Sequence, residues 1–361
     1  MKIRYTGLDF LKFVCAFLVV YIHSCSDSYA NEYIIPITRI AVPVFFMITG
    51  FFYEETVNKN RRLEQIRKIL KYILFSNLIY LVFAFTPTIV QTLLSHNSGL
   101  LSEKLSSVFS FQSLGNFIFF NESPFASHLW YLNSILYVLI IAMICTKFNI
   151  FRVLYIVTPL LLIADLLFGK YSIAVFGREF NIYYVRNFIC VGLPYFVIGN
   201  VIYKLKHRLN KKTNILILTI CFFILLGFAE KYILLHYGIN ATRDQYITTT
   251  PLAVSIFILF MQMQNVRYNW FNQVSLWGKN HSLIIYIIHP MIIFAIGIMQ
   301  KILFLAEPLI KRTVSNKISL DIITPLSSVY LIPLIVFIIS LIFSVIYKKL
   351  CTKFKNNIKQ G

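Results

Sequence analysis

A lysine and a histidine stand eleven residues apart in the first apolar segment of the chain, as Lys12 and His23 of GLDFLKFVCAFLVVYIHS. On a helix their side chains return to nearly the same face, separated by about 16 Å along the axis. A neutral imidazole can accept a proton from an attacking hydroxyl and return it to a leaving group, which suits acyl transfer near neutral pH. The alternative role for His23 is an interhelical hydrogen bond that only packs the helices.

An arginine, Arg39, stands at the predicted outer start of the second apolar segment, in ITRIAVPVFFMITGFF. Its guanidinium can bind a developing oxyanion or a substrate carboxylate or phosphate, and interfacial anchoring is the alternative. The short loop between the first two segments carries Asp27, which we consider as a group that orients the imidazole of His23. Because the loop is short, we expect the outer ends of both helices to be neighbours.

A basic cluster begins the third apolar segment, in QIRKILKYILF, and consists of Arg67, Lys68 and Lys71. The two lysines are one turn apart and share a helix face. Such cations can bind the phosphates of a carrier such as coenzyme A, although the topology of a membrane protein alone also favours basic residues there. No glycine-rich phosphate loop occurs in the chain, which argues against a nucleotide-hydrolysing enzyme.

Aromatic and basic side chains also mark the predicted outer ends of later segments. ASHLWYLNSILYVL places His128, Trp130 and Tyr131 at the start of the fourth segment, and Arg186 has a similar position in the sixth. Aromatic rings at this depth form interfacial belts, but they also stack on sugar rings. His289 precedes a proline in SLIIYIIHPMII, where the proline is expected to bend the helix and free backbone carbonyls.

The composition determines which elements position these groups. Of 361 residues, 58% are hydrophobic and 13% are charged, with a mean hydropathy of +0.72. These values predict an all-α, polytopic bundle of transmembrane helices that forms a single domain, residues 1–361. The predicted spans are 7–27, 35–53, 68–93, 128–146, 151–169, 183–203, 213–235, 247–264, 281–300 and 326–347.

The net charge of +20 is distributed unevenly along this topology. The termini, alternate loops and adjoining helix ends on one side hold 22 Lys and Arg against 4 Asp and Glu, whereas the other side holds 10 of each. This asymmetry predicts that both termini are cytoplasmic. It also indicates that the basic tail, residues 348–361, meets anionic membrane lipids and not nucleic acid.

The quoted segments together resemble acyltransferase family 3 of bacterial membrane proteins, from the first span to the ninth. That family has a basic residue, ten intervening residues and a histidine in its first helix, which Lys12 and His23 match. It also has a basic-x-x-basic pair at the third helix, matched by Lys68 and Lys71. Both matches use lysine where arginine is commoner, which argues against bidentate phosphate binding.

The resemblance implies a multi-pass protein of the bacterial inner membrane that transfers an acyl group. The donor would be cytoplasmic acetyl-CoA or another acyl-CoA, and the acceptor would be a hydroxyl of a surface glycan or lipid-linked sugar. No metal is expected. His23 would act as general base with Arg39 and Asp27 beside it. The remaining candidates divide into a donor-binding set, Lys12, Arg67, Lys68 and Lys71, and an acceptor-binding set, His128, Trp130, Tyr131, Arg186 and His289.

Two alternatives to an enzyme remain open at the level of the sequence. The first is an exporter or flippase of a polysaccharide or lipid-linked glycan that transfers no acyl group. The second is a membrane sensor or amino-acid-handling domain, since related helical domains occur fused to racemases.

Overall fold

The computed structural model describes residues 4–25, 29–209, 213–239, 245–264, 266–313 and 331–360, and these residues form helices and connecting turns without a strand. The predicted all-α class is therefore confirmed for the described residues. The helices are α1 (Thr6–Ser24), α2 (Tyr29–Thr38), α3 (Ala41–Asn58), α4 (Arg62–Ser95), α5 (Gly99–Val108), α6 (Phe111–Phe120), α7 (Trp130–Lys147), α8 (Phe151–Phe168), α9 (Ser172–Phe176), α10 (Leu193–Leu205), α11 (Thr213–His236), α12 (Thr249–Gln262), α13 (Asn269–Thr313) and α14 (Ile332–Gln360).

Within the described residues, nine helical stretches are long and apolar enough to cross a membrane. The predicted eighth span, 247–264, is the exception because its helix α12 has only 14 residues. At 1.5 Å per residue it is about 21 Å long, short of the roughly 30 Å hydrocarbon core. The predicted loop between the third and fourth spans also contains helices, α5 and α6, which the sequence analysis did not anticipate.

The chain divides into two compact units. One unit comprises residues Met1–Ala41 and Ser255–Gly361, and the other comprises Val42–Val254. The first unit, called the histidine unit below, contains α1, α2, most of α12, α13 and α14. The second, called the aromatic unit, contains α3 to α11 and the start of α12.

In the histidine unit, α1 lies directly against α13 because a glycine removes the side chain between them. A methyl group on Gly278 would overlap the backbone carbonyl oxygen of Asp9. The ring of Phe10 stacks on that of Phe271 at 4.6 Å, and the rings of His23 and His289 lie 5.1 Å apart. Both residue numbers increase together along this contact, so α1 and α13 run in the same direction.

Two further helices pack on this pair. The backbone nitrogen of Gly7 in α1 donates to the carbonyl of Met263, immediately after α12, at 3.0 Å. Phe337 of α14 packs edge-on against the rings of Phe13 and Phe17, with centroids 5.0 and 5.3 Å away. Helix α1 is therefore packed on several sides, by α13, by α14 and by the end of α12.

In the aromatic unit, α3 and α10 cross at a pair of reciprocal glycines. A methyl group on Gly50 would overlap the carbonyl oxygen of Phe196, and one on Gly199 would overlap that of Met47. Close backbone approach through small residues is typical of helix contacts in membranes. Near the same crossing, the Glu54 carboxylate accepts hydrogen bonds from Asn200 and Lys204, each at 3.1 Å; the carboxylate is thus held by both polar partners.

Candidate functional site

Helix α1 carries Lys12 and His23 on one uninterrupted helix, as their spacing predicts. The Lys12 side chain is mostly buried, with 21% exposed, whereas His23 is exposed near the end of the helix. An imidazole must be accessible if it is to exchange a proton with a substrate.

Asp9, one turn before Lys12, binds the lysine directly. Its carboxylate lies 3.1 Å from the Lys12 ammonium and 3.2 Å from the Arg4 guanidinium. Asp9 itself is only 6% exposed. Because an unpaired buried carboxylate would be costly, the two cations and Asp9 stabilise one another at this end of α1. The contact fixes the lysine in one position along the helix.

His289 lies beside His23, and its own neighbour Pro290 explains how the ring is held. A proline has no backbone N–H, so Pro290 leaves the carbonyl of Tyr286, four residues earlier, without its helical donor. The Nδ1 atom of His289 binds that same carbonyl at 2.8 Å and the carbonyl of Ile285 at 3.2 Å. A carbonyl accepts hydrogen bonds only, so Nδ1 carries the proton and Nε2 holds the lone pair of the neutral ring.

Arg39 lies near the start of the second membrane-spanning stretch, as predicted, and the structure adds a break in the helix there. The stretch Ile34–Asn58 is long and apolar enough to cross a membrane. Within it α2 ends at Thr38 and α3 begins at Ala41, with Arg39 in the turn between them. The hydroxyl of Thr38 donates to the carbonyl of Ile35 at 2.9 Å, and Pro36 lies within α2. The Thr38 hydroxyl competes for a carbonyl of the helical ladder, and Pro43 has no backbone N–H to donate to the carbonyl of Arg39, four residues earlier; together these explain the break.

Two further predictions concern Asp27, placed beside His23, and the basic cluster placed at the donor. Asp27 lies outside the described residues. Arg67, Lys68 and Lys71 are exposed near the start of α4. Because α4 has 34 residues, about 51 Å, it is longer than the hydrocarbon core and its first turns can extend into water.

In the aromatic unit, the three residues of the HLWY segment have different surroundings. His128 is 6% exposed, and its ring lies edge-on to Tyr80 at 4.8 Å. Tyr131 packs edge-on against Phe46 at 4.8 Å. Trp130 is only partly buried, and its ring faces a charged group.

That charged group is Arg186, whose guanidinium lies 5.8 Å from the centre of the Trp130 ring. The carboxylate of Glu122 is close to the same arginine and accepts a hydrogen bond from the Tyr183 hydroxyl. Burial raises the pKa of Glu122 above its ordinary value, while the Tyr183 hydrogen bond and the positive charge of Arg186 lower it in part. Immediately after this arginine the backbone forms a π-helical turn, Phe188–Gly192, a feature often found at functional sites.

Two acidic residues of these sites, Asp9 and Glu122, were not among the candidates predicted from the sequence. Asp9 had a local signal, since an acid three residues before a lysine on one helix predicts an ion pair. Glu122 had no such signal, because its partners Tyr183 and Arg186 are some sixty residues away in the chain.

Comparison with known proteins identifies relatives and a family. Two curated relatives from Enterococcus faecalis, each described as an amino-acid racemase, are similar to the chain. One is 24% identical over 345 residues, covering 88% of this chain and 44% of the relative. The other is 25% identical over 295 residues, covering 77% and 39%. The chain thus spans less than half the length of either relative.

No solved structure matches the chain. The family described as the acyltransferase domain, acyltransferase family 3, matches residues 5–348, nearly the whole sequence. Its match includes His23 and His289 of the histidine unit and all the candidate residues of the aromatic unit. The chain therefore belongs to acyltransferase family 3, and its long apolar helices are those of a multi-pass membrane protein.

Proposed function

We propose that this protein is an O-acetyltransferase of the bacterial inner membrane. It takes the acyl group from cytoplasmic acetyl-CoA and transfers it to a hydroxyl of a cell-surface glycan or lipid-linked sugar. The observation that carries the proposal is that His23, on the helix that also carries Lys12, lies beside His289 of α13.

The chemistry requires one group that both removes and returns a proton. His23 takes the proton from the acceptor hydroxyl while the oxygen of that hydroxyl attacks the thioester carbonyl. The C–S bond then breaks, and the imidazolium returns the proton to the coenzyme A thiolate, so that an ester and a free thiol are formed. The ring of His289, held by two backbone carbonyls, keeps the imidazole of His23 in place.

Basic side chains bind the donor in this proposal. The phosphates of the coenzyme A nucleotide bind to Arg67, Lys68 and Lys71, which are exposed at the start of α4. Lys12 contributes a further cation, positioned by Asp9. Pantetheine is a long, thin arm, which suits a donor whose thioester reacts well away from its phosphates.

The test uses purified protein in proteoliposomes with acetyl-CoA on one side and a glycan acceptor on the other. We expect release of free thiol that depends on the acceptor, together with an acetylated glycan detected by mass spectrometry. An exporter or flippase would instead move the glycan without consuming the thioester, and that result would overturn the proposal.

A change at the basic cluster should weaken donor binding specifically. We expect the double variant Lys68→Ala/Lys71→Ala to raise KM for acetyl-CoA by roughly tenfold or more, because hydrogen bonds to charged groups are lost. The effect should shrink at high salt as the charges are screened. Steady-state kinetics measure it, with exposed Lys147→Ala as the control. An unchanged KM in the double variant would remove Lys68 and Lys71 from the donor site.

The names of the two relatives favour one further candidate, namely that the domain handles an amino acid. In that case an amino acid, and no glycan, should serve as the acyl acceptor or should bind without thioester turnover. Supplying serine or alanine in the same proteoliposome assay separates the two acceptors, because each acetylated product has its own mass.

A further inference from the structure

A carboxylate, a guanidinium and a phenol meet at one end of the aromatic unit, from three separate segments of the chain. Glu122 follows α6, Arg186 follows the turn at Ile182–Tyr184, and Tyr183 lies within that turn. The Tyr183 hydroxyl binds the Glu122 carboxylate, and Arg186 acts on both through its charge. All three side chains are partly accessible, so a ligand can reach them.

The backbone that carries Glu122 is held by the preceding residue, Asn121, which is fully buried. Its side-chain oxygen accepts hydrogen bonds from the backbone nitrogen of Phe188 at 3.0 Å and from the Ser134 hydroxyl at 3.3 Å. Its backbone carbonyl accepts from the amide of Asn133 at 3.0 Å. Asn121 also adopts a left-handed conformation, with φ of 65°, that asparagine tolerates better than most residues. The position of Glu122 is thus fixed by its buried neighbour.

Arg186 is held in the same way by the residue that follows it. The Asn187 amide nitrogen donates to the carbonyls of Tyr183 and Tyr184 at 2.9 and 2.8 Å. Its side-chain oxygen accepts from the backbone nitrogens of Ile189 and Cys190 at 2.8 and 3.0 Å. The backbone nitrogen of Phe188 also donates to Asn121. The segments that carry Glu122 and Arg186 are therefore linked by one buried hydrogen-bond network. Such support is typical of a preorganised binding site.

The chemistry of the exposed groups suits a sugar. A carboxylate accepts hydrogen bonds and a guanidinium donates them, so the two can bind neighbouring hydroxyls of one ring. Trp130 offers an apolar surface next to the arginine. We propose that Glu122 and Arg186 bind adjacent hydroxyls of a pyranose sugar, with Trp130 as the wall of the site. This inference rests on the proposed function, because it gives the glycan acceptor a binding site.

The variant Glu122→Gln tests the inference, because glutamine keeps the size of the side chain and removes its charge. The probes are methyl β-glucopyranoside and methyl N-acetyl-β-glucosaminide, titrated into the detergent-solubilised full chain and followed by saturation-transfer NMR. We expect at least one probe to bind the unaltered protein and to bind Glu122→Gln roughly tenfold more weakly or worse. Glu103→Gln, at an exposed acid on α5, should bind within about twofold of the unaltered protein.

Two further measurements separate binding from stability. Arg186→Lys keeps the charge but loses the planar fork, so it too should weaken sugar binding while the melting temperature without sugar stays the same.

Because the pKa of Glu122 is raised, its carboxylate becomes protonated at a higher pH than an exposed glutamate. On acidification, sugar binding should therefore begin to fall at a higher pH than it would if the carboxylate were that of an exposed glutamate. The variant Glu122→Gln should show no such fall.

The inference is overturned if neither sugar binds the unaltered protein, or if Glu122→Gln and Arg186→Lys bind as it does. Its failure is distinguishable from failure of the proposed function. If sugars bind but acetyl-CoA is never consumed, the site stands and acyl transfer is wrong. If acetyl groups reach a glycan with the same acceptor KM in Glu122→Gln, acyl transfer stands and this site is wrong.

Discussion

Acetyl-CoA consumption should fall by roughly a hundredfold to ten-thousandfold when His23 is replaced by alanine, which is the usual contribution of a general base. The ring of His23 is exposed, so its removal leaves no buried cavity and should change the melting temperature little. The measurement is acceptor-dependent release of free thiol from acetyl-CoA in proteoliposomes. His236→Gln, at an exposed histidine at the end of α11, is the matched control and should retain full activity.

The same variant distinguishes two forms of the mechanism. With radiolabelled acetyl-CoA and no acceptor, a transient acyl-histidine would leave label on the unaltered protein and none on His23→Ala. Direct transfer would leave both proteins unlabelled. Undiminished thiol release by a folded His23→Ala protein would contradict any catalytic role for His23, whichever form of the mechanism is considered.

A large loss of stability should come from Gly278→Ala. The added methyl group would overlap the Asp9 carbonyl, and backbone atoms in two packed helices cannot move aside easily. Overpacking of this kind costs about 1–3 kcal/mol. We expect a melting temperature several degrees lower, together with lost activity, because the same two helices hold His23 beside His289.

The control for this change is Gly297→Ala on the same helix. A methyl group at Gly297 meets nothing within 4 Å, so alanine should be neutral or should stabilise α13 through its higher helix propensity. Thermal unfolding of both variants in detergent measures the difference. Equal melting temperatures for the two alanine variants would show that α1 and α13 do not need the close contact at Gly278.

The predictions from sequence succeeded where one helix alone decides the geometry. The eleven-residue spacing of Lys12 and His23 required only a continuous helix, and α1 provides one. The apolar segments likewise predicted the helical class, since a chain in lipid must satisfy its backbone hydrogen bonds internally. The apolar pattern did not reveal the turn at Arg39, which divides the second spanning stretch, Ile34–Asn58, into α2 and α3.

The sequence also indicated that the proline beside His289 would free a carbonyl, but it did not say which group would bind it. That group is the imidazole of His289 itself, which bends back to the carbonyl of Tyr286. The placement of this ring, with its proton on Nδ1, next to His23 required the parallel packing of α1 on α13. Periodicity carries no information about which of the predicted apolar segments touch one another.

What the sequence by itself determined is the class of protein, the helices and the residues that share a face of one helix, because these follow from local spacing and apolar composition. Only the tertiary structure decided which distant residues meet. Asp9 pairs with Lys12 within a single turn, whereas His23 lies beside His289, and Glu122 comes near the charge of Arg186, only through the tertiary fold. That packing depends on the shapes of whole helix surfaces, down to single glycines such as Gly278, and no local pattern encodes it.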